Sequence, residues 1–414
     1  MRRRHFIHAS LASSLAAALP AMAQSGGRRP RILLRNGWQS QNIGDIAHYM
    51  GMMELLKLHG IDAEVRFWTN NMENGAGELF QKHFPEVPVF KSQDKESVEK
   101  AFKECDFFLH GSSSGFGAWK DAKRWHEETG KPFGVMGVSL TDTGEQLLAT
   151  LKKAQFVYFR DGVSAKRASE EFGIPTPPAM GWGPDTAFGI TKLRNEEKAT
   201  AYLKANGLEE GKFLCCIPRY RWTPFWTLHK DRAVDKVKLA RSEEMKEHDH
   251  APHREAIIRL VREAGVKVLV THEDQTQIQL GKEVLYDPLP EDVKKNVVWR
   301  DSYWLTDEAL SIYVRSLGLF GNEMHSPILC IANGIPAVVG RWDEQTNKGF
   351  MWRDIGLDEW LFTMDDEARL KQLPETVLAF AKDPAGSKAK AEKARQIVLA
   401  KQKEQFTTLQ KALA

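Results

Sequence analysis

The chain has 414 residues, 42% hydrophobic and 27% charged, with a formal net charge of +3. That length accommodates about two domains of ~150–200 residues, each able to bury a core. Lys and Arg are interspersed with Asp and Glu and form no single basic block, which argues against nucleic acid as a partner.

The opening segment, "MRRRHFIHASLASSLAAALPAMAQ", has a basic start, an apolar run short for a bilayer, and Ala-Met-Ala before Gln24. Residues 1–23 are therefore expected to be a signal peptide, and 24–30 a linker. Arg3-Arg4-His5-Phe6-Ile7 is similar to a twin-arginine export signal, which predicts a bacterial protein that is periplasmic or secreted and not stably inserted in the membrane after cleavage. Cys105, Cys215, Cys216 and Cys330 lie in or beside apolar runs without metal-type spacing, so buried thiols are expected.

From residue 31, short apolar runs alternate with longer amphipathic ones. "RILLRN" reads as a strand and "IAHYMGMMELLKLHG" as a helix closed by Gly60; "AEVRFWT", "FFLHG", "FGVMGVSL" and "FVYFRD" are further strands. A polar helical stretch near 190–212 interrupts the series, which resumes with "FLCCIPR", "KVLVTHE", "VVWRD", "LGLFGN" and "PAVVGRW". The pattern predicts an α/β protein of two Rossmann-like, doubly wound domains facing a cleft, over 31–192 and 193–371. Residues 372–414 form a helical tail whose last part, after Pro384, reads as one long helix packing back on the body. Ligands of such sheets bind beyond the carboxyl ends of the strands, so candidate chemistry is sought just after each strand.

After the first strand, Asn42, Gly44 and Asp45 form a helix-opening turn suited either to an anion or to capping. "GSSSG" contains Gly-x-Ser-x-Gly, which admits Ser113 as a hydrolase nucleophile; no downstream Asp-His pairing stands out, and Ser112, Ser113 and Ser114 also suit a ligand-facing turn. Arg160 and Asp161 read as a buried pair fixing a loop, and Asp185 as a hinge or cleft carboxylate. Arg219, Arg221 and Trp222 follow the first strand of the second series, where guanidinium groups among rings suit a carboxylate or phosphate beside a sugar. His248, His250 and His253 fall in an expected helix-entry loop and make an incomplete metal set. His325 opens the helix after "LGLFGN", where imidazole can act as acid, base or phosphate donor, and Arg341 ends the next strand.

In order, "NIGD" (42–45), "CDFFLHGSSSGFG" (105–117), "RDGVS" (160–164), "GPDTAF" (183–188), "PRYR" (218–221), "NEMHS" (322–326) and "NGIPAVV" (333–339) resemble the polysaccharide pyruvyl transferase family. The resemblance implies a GT-B-like fold and transfer of the enolpyruvyl unit of phosphoenolpyruvate onto two sugar hydroxyls as a cyclic ketal. It assigns donor binding to Arg219, an acid or phosphate-partner role to His325, and acceptor orientation or deprotonation to Asp45, with no metal or cofactor required. Glu323 stands where the family's late motif has Arg, and Ser112–Ser114 stand where glycines are usual. Export adds that the compartment would lack phosphoenolpyruvate. The expectation is therefore a divergent member acting on a glycan with an anionic small-molecule donor, with non-catalytic glycan binding or Ser113-dependent hydrolysis as alternatives.

Overall fold

A computed structural model describes residues 28–174, 180–228 and 232–414. The expected signal peptide and most of the linker lie outside the described residues. The first sheet contains β1 (Arg31–Arg35), β2 (Glu64–Thr69), β3 (Val89–Lys91), β4 (Phe107–His110), β5 (Phe133–Val138), β6 (Phe156–Phe159) and β7 (Met180–Trp182), in the order 3-2-1-4-5-6-7. The second contains β8 (Phe213–Ile217), β9 (Lys267–Val270), β10 (Val297–Trp299), β11 (Leu319–Gly321), β12 (Ala337–Arg341) and β13 (Leu361–Thr363), in the order 10-9-8-11-12-13. Every strand pairing is parallel.

Parallel strands need crossovers, and helices on both faces bury both rows of side chains. Ile32 and Leu34 of β1 enter one core cluster while Leu33 between them enters the other. The short strands β3, β7 and β13, all at sheet edges, were not anticipated.

The topology locates the ligand crevice. Strand order reverses beside β1, which lies between β2 and β4, and beside β8, which lies between β9 and β11. Such reversals open a crevice at the carboxyl ends of the strands. The segments following β1, β9 and β10 meet there: Ile43 N–H donates to the Glu273 carbonyl at 3.0 Å, Thr306 Oγ1 to the Ile43 carbonyl at 2.8 Å, and Asn42 forms an isolated bridge with Asp274.

The helix Pro384–Leu413 packs as expected and also straps the two halves together. Asp383 caps its start by accepting from Gly386 N–H at 2.9 Å. Its apolar stripe, Ala391, Ala394, Val398, Phe406 and Leu409, is buried. At its far end Thr408 Oγ1 meets Tyr158 Oη of β6 at 2.8 Å, and the Phe406 ring stacks on His59 at 4.9 Å.

One local expectation is corrected. His248, His250 and His253 lie inside the helix Lys236–Ala264 and not in a loop. His250 and His253 continue its buried stripe with Ile257 and Leu260 at helical spacing, and that burial carries the helix through Pro252.

Candidate active site

Asn42 opens the helix Ile43–Leu58 as its N-cap, its Oδ1 accepting from Gly44 N–H at 2.7 Å. With Ile43 N–H donating to Glu273, this end of the helix is held by protein groups; of the two readings of the turn, capping is the one observed. One turn further, the same helix buries His48, whose Nε2 lies 3.3 Å from Asp185 Oδ2 and whose Nδ1 lies 3.9 Å from Asp45 Oδ1. Asp45 is half-buried, and Gln39 Nε2 donates to its Oδ2 at 2.5 Å.

Asp185 is fully buried just after β7, and its Oδ1 accepts from Ala187 N–H at 3.0 Å. Arg160 Nη1 donates to its Oδ2 at 3.1 Å. Burial alone would raise this carboxyl, but His48 and Arg160 outweigh it and hold the group well below the usual carboxylate range. The expected Arg160–Asp161 pair is thus replaced. Asp161 instead caps the helix Gly162–Glu170 through Ser164 N–H at 2.7 Å, because a carboxylate at N-cap satisfies amides that Arg160 cannot.

The second sheet delivers His325. Its ring meets His48 edge to face with centroids 4.9 Å apart, and its Nδ1 lies 3.4 Å from Glu273 Oε2. Gly44 makes this approach possible, because a Cβ there would stand 2.0 Å from His325 Nδ1. Burial, with Lys348 and His48 adding to it, pushes the His325 pKa well below its ordinary value. The ring is therefore neutral near pH 7, a proton acceptor or ligand and not a standing cationic partner for phosphate. His48, Asp185 and His325 each offer a donor atom within 4.8 Å of the other two.

Beside this cluster lies a charged strip. Arg219 Nε is 3.0 Å from Glu323 Oε1, which also accepts from Gln277 Nε2 at 2.6 Å. Burial raises Glu323 while Arg219 opposes it. Asp274 is buried and accepts from Thr276 N–H at 2.8 Å; burial, reinforced by Glu323, pushes it up to about 7. Lys348, on the loop after β12, is brought down to about 8 by burial, with Glu323 opposing and Arg219 and Arg160 adding to the effect. Arg341 supports that loop: it is buried, reaches Asp343 through Nη1 at 3.1 Å, and its guanidinium lies 4.5 Å from the Phe350 ring.

Other expected ligand contacts are committed to the fold. Arg221 is saturated by Asp249 at 2.8 Å, Glu344 at 3.2 Å and Asp365 at 2.7 Å, so it has no free donor edge for a substrate anion. Trp222 Nε1 donates to the same Glu344 at 3.2 Å. Ser112 Oγ is buried and accepts from Thr186 N–H at 2.9 Å, while Ser113 Oγ donates to the Gly115 carbonyl; of the three serines only Ser114 is exposed. No histidine among the described residues hydrogen-bonds Ser113, so the triad geometry of a serine hydrolase is not formed. The three histidines of the long helix also diverge: His248 meets Glu367, His250 meets the Arg219 amide, and His253 meets Asn322. All four cysteines are buried and free, as expected.

The sequence profile described as Polysaccharide pyruvyl transferase matches residues 42–344, from the Asn42 cap to Glu344. The chain belongs to the polysaccharide pyruvyl transferase family. No curated protein matches it in a sequence search. Among solved structures it resembles the UDP-GlcNAc 2-epimerase from Methanocaldococcus jannaschii, with 13% identity, a TM-score of 0.55, and 84% of this chain and 92% of that chain covered. It is likewise similar to UDP-GlcNAc 2-epimerase from Neisseria meningitidis bound to UDP-GlcNAc, with 10% identity, a TM-score of 0.54 and coverage of 92% and 100%. Trehalose 6-phosphate synthase from Burkholderia multivorans matches with 10% identity, a TM-score of 0.51 and coverage of 93% and 97%. At these identities the likeness is one of fold: two Rossmann-like domains in the GT-B arrangement.

Within this pyruvyl transferase family member, sequence reasoning selected Asp45, Asp185, Arg219, Glu323 and His325, and the fold brings them to one crevice. It missed His48, Glu273, Asp274 and Lys348 and read Arg160 as structural. The i, i+3 spacing of Asp45 and His48 is the signal that could have found His48.

Proposed function

We propose that the protein transfers a pyruvyl ketal, or a closely related unit, from an anionic donor to a glycan. The observation that carries this reading is the meeting of His48 and Asp185 from the first sheet with His325 from the second, beside Arg219 and Lys348, in a chain of this family. With phosphoenolpyruvate as donor, the enol carbon-carbon double bond takes a proton at its methylene to become a methyl. Two sugar hydroxyl oxygens bond to the adjacent carbon, the carbon–oxygen bond to phosphate breaks, and inorganic phosphate leaves. Of the two hydroxyl protons, one balances the methyl and the other leaves with phosphate.

Arg219 and Lys348 bind the donor's anionic groups in this scheme, since cations are what carboxylate and phosphate require. Asp274, with its carboxyl near 7, is suited to carry a proton at neutral pH. His48 and the neutral His325 accept or position the hydroxyl protons. Glu323 already neutralises Arg219, so a donor must displace that pairing, which favours a donor altered from the family's usual one. We propose further that the mature protein works outside the cytoplasm, on the strength of the Arg-Arg-bearing opening segment.

The test is a thermal-shift titration of the mature protein with phosphoenolpyruvate, and separately with plain and pyruvylated glycans, in wild type and Arg219→Ala. Stabilisation by phosphoenolpyruvate that Arg219→Ala loses, with phosphate release when a glycan is added, supports transfer. Stabilisation by glycans alone would replace this reading with glycan binding.

A further inference from the structure

The imidazole pair at the centre of the crevice carries an unused capacity. His48 and His325 are buried, yet both ring nitrogens of His48 and Nε2 of His325 lack a hydrogen-bond partner. His48 Nε2 is 3.3 Å from Asp185 Oδ2 without the alignment of a hydrogen bond. Unsatisfied buried polar atoms are costly, and two imidazoles that each bring one to the same place call for a group that satisfies them together.

Each imidazole also has a carboxylate behind it. His325 Nδ1 faces Glu273 Oε2 at 3.4 Å, and His48 Nδ1 faces Asp45 Oδ1 at 3.9 Å. At His325 the hydrogen-bonded Glu273 orients the ring, fixes the proton on Nδ1 and leaves the lone pair of Nε2 facing away, the arrangement that supports a metal-binding imidazole, while Asp45 lies near His48 Nδ1 without bonding it. Glu273 is itself anchored by Ser326 N–H on the first turn of the His325 helix. Asp185 supplies a buried carboxylate, its Oδ2 3.3 Å from His48 Nε2 and 3.1 Å from Arg160 Nη1. Around the two rings, the carboxylates of Asp45, Asp185 and Glu273 outnumber the cations of Arg160 and Lys348, so the surroundings favour an added cation.

We infer that His48, His325 and Asp185 form a site for one divalent transition-metal ion, with zinc the ion whose ligand preferences fit best. Two imidazoles and one carboxylate make a three-ligand set that leaves a coordination position open, the form taken by catalytic and not structural zinc. The donor atoms, within 4.8 Å of one another, need a small inward adjustment to surround an ion at ~2.0–2.2 Å. The assignment shares a crevice with the proposed transfer but does not depend on it. If both hold, the acceptor hydroxyl takes the open position, and the two rings act as ligands in place of proton acceptors.

The experiment measures metal on the full mature chain, stripped with chelator, reloaded with Zn2+ or Co2+ and dialysed. Expected are about one ion per chain and, for Co2+, X-ray absorption showing imidazole nitrogen and carboxylate oxygen in the coordination shell, a readout that needs no variant. His48→Ala and His325→Ala each lower affinity more than about 100-fold, and Glu273→Gln, which acts only through the His325 ring, about 10–100-fold. The His248→Ala/His253→Ala double variant leaves stoichiometry unchanged. Binding far below one ion per chain, retention by a His48→Ala chain that still folds, or loss in the His248/His253 variant would overturn the site. Because metal content and not turnover is read, failure of the transfer reaction leaves this result intact, and the reverse also holds.

Discussion

His48 and His325 meet edge to face at 4.9 Å between ring centroids, although they belong to helices from different sheets and lie far apart in sequence. The approach requires Gly44, the residue beneath the His325 ring. Gly44→Ala puts a methyl into space the imidazole occupies, and burial on every side prevents a cheap escape. We expect a loss of about 1–3 kcal/mol in stability by denaturant unfolding and loss of whatever ligand response the wild type shows. A variant with wild-type stability and ligand response would mean that the rings are not held together.

The Arg160–Asp185 pair is more than 90% buried on both sides, and Arg160 is also bound to Ser139 Oγ at 3.0 Å. Removing one partner strands the other. Arg160→Met is expected to destabilise the protein by about 3–5 kcal/mol, whereas Arg160→Met combined with Asp185→Leu recovers a substantial part of that loss while remaining inactive. Urea titration of the two variants separates the cases, and equal losses would show that Asp185 keeps other partners.

Asp274 offers a test through linkage. Its carboxyl is raised to about 7, so between the ordinary carboxylate range and about pH 7 the folded protein keeps a proton that the unfolded chain has lost. Stability therefore falls as pH rises through that window, with a slope from this group of at most about 1.4 kcal/mol per pH unit. Asp274→Asn removes that contribution, so its unfolding free energy should gain on that of wild type from about pH 4 to about pH 7 and hold a constant difference above that. Parallel pH curves for the two proteins would refute the shift.

How far the sequence was legible varied with the kind of information needed. The strands RILLR and FLCCI and the long terminal helix announce themselves, because burial on both faces demands continuous apolar runs and a packed helix demands a stripe. Ordered short motifs likewise led to Asp185, Arg219 and His325. His48 stayed hidden inside an apolar helix with 12 buried residues, where its neighbours suggested packing. Arg221 misled in the opposite sense, since its partners Glu344 and Asp365 are more than 120 residues away in the chain. Local pattern shows which side chains are costly to bury, but only the tertiary structure shows what satisfies them.

The serine turn separates two roles that look alike in sequence. Ser112 Oγ accepts from Thr186 N–H and from Thr186 Oγ1, and it fills the space next to Gly137, where a Cβ would stand 1.9 Å away. Ser112→Ala leaves the Thr186 amide without its partner and should cost about 1–3 kcal/mol by thermal unfolding. Ser113→Ala, at a hydroxyl bound only to the neighbouring Gly115 carbonyl, should leave ligand response unchanged. An inactive but stable Ser113→Ala would restore the nucleophile reading.

Glu323 stands where the sequence resemblance leads one to expect Arg, and its contacts say what a carboxylate does there. It lies 3.0 Å from Arg219 and accepts from Gln277, so the guanidinium that would bind a donor anion is already neutralised. Lys348 adds a second cation to the same strip, and at about 8 its amine is mostly charged at neutral pH but sensitive to small changes in field. Glu323→Gln keeps the shape and the bond to Gln277 while freeing Arg219. If the crevice binds an anionic donor, this variant should bind phosphoenolpyruvate about tenfold tighter or more, a gain of about 1.4 kcal/mol, measured by calorimetry. It should also lift Lys348 less, because the carboxylate that raises it is gone, so the pH at which binding is lost moves down. Weaker binding in Glu323→Gln would mean instead that the carboxylate itself touches the ligand, and that the native partner of this crevice is a neutral or cationic group that Glu323 was retained to recognise.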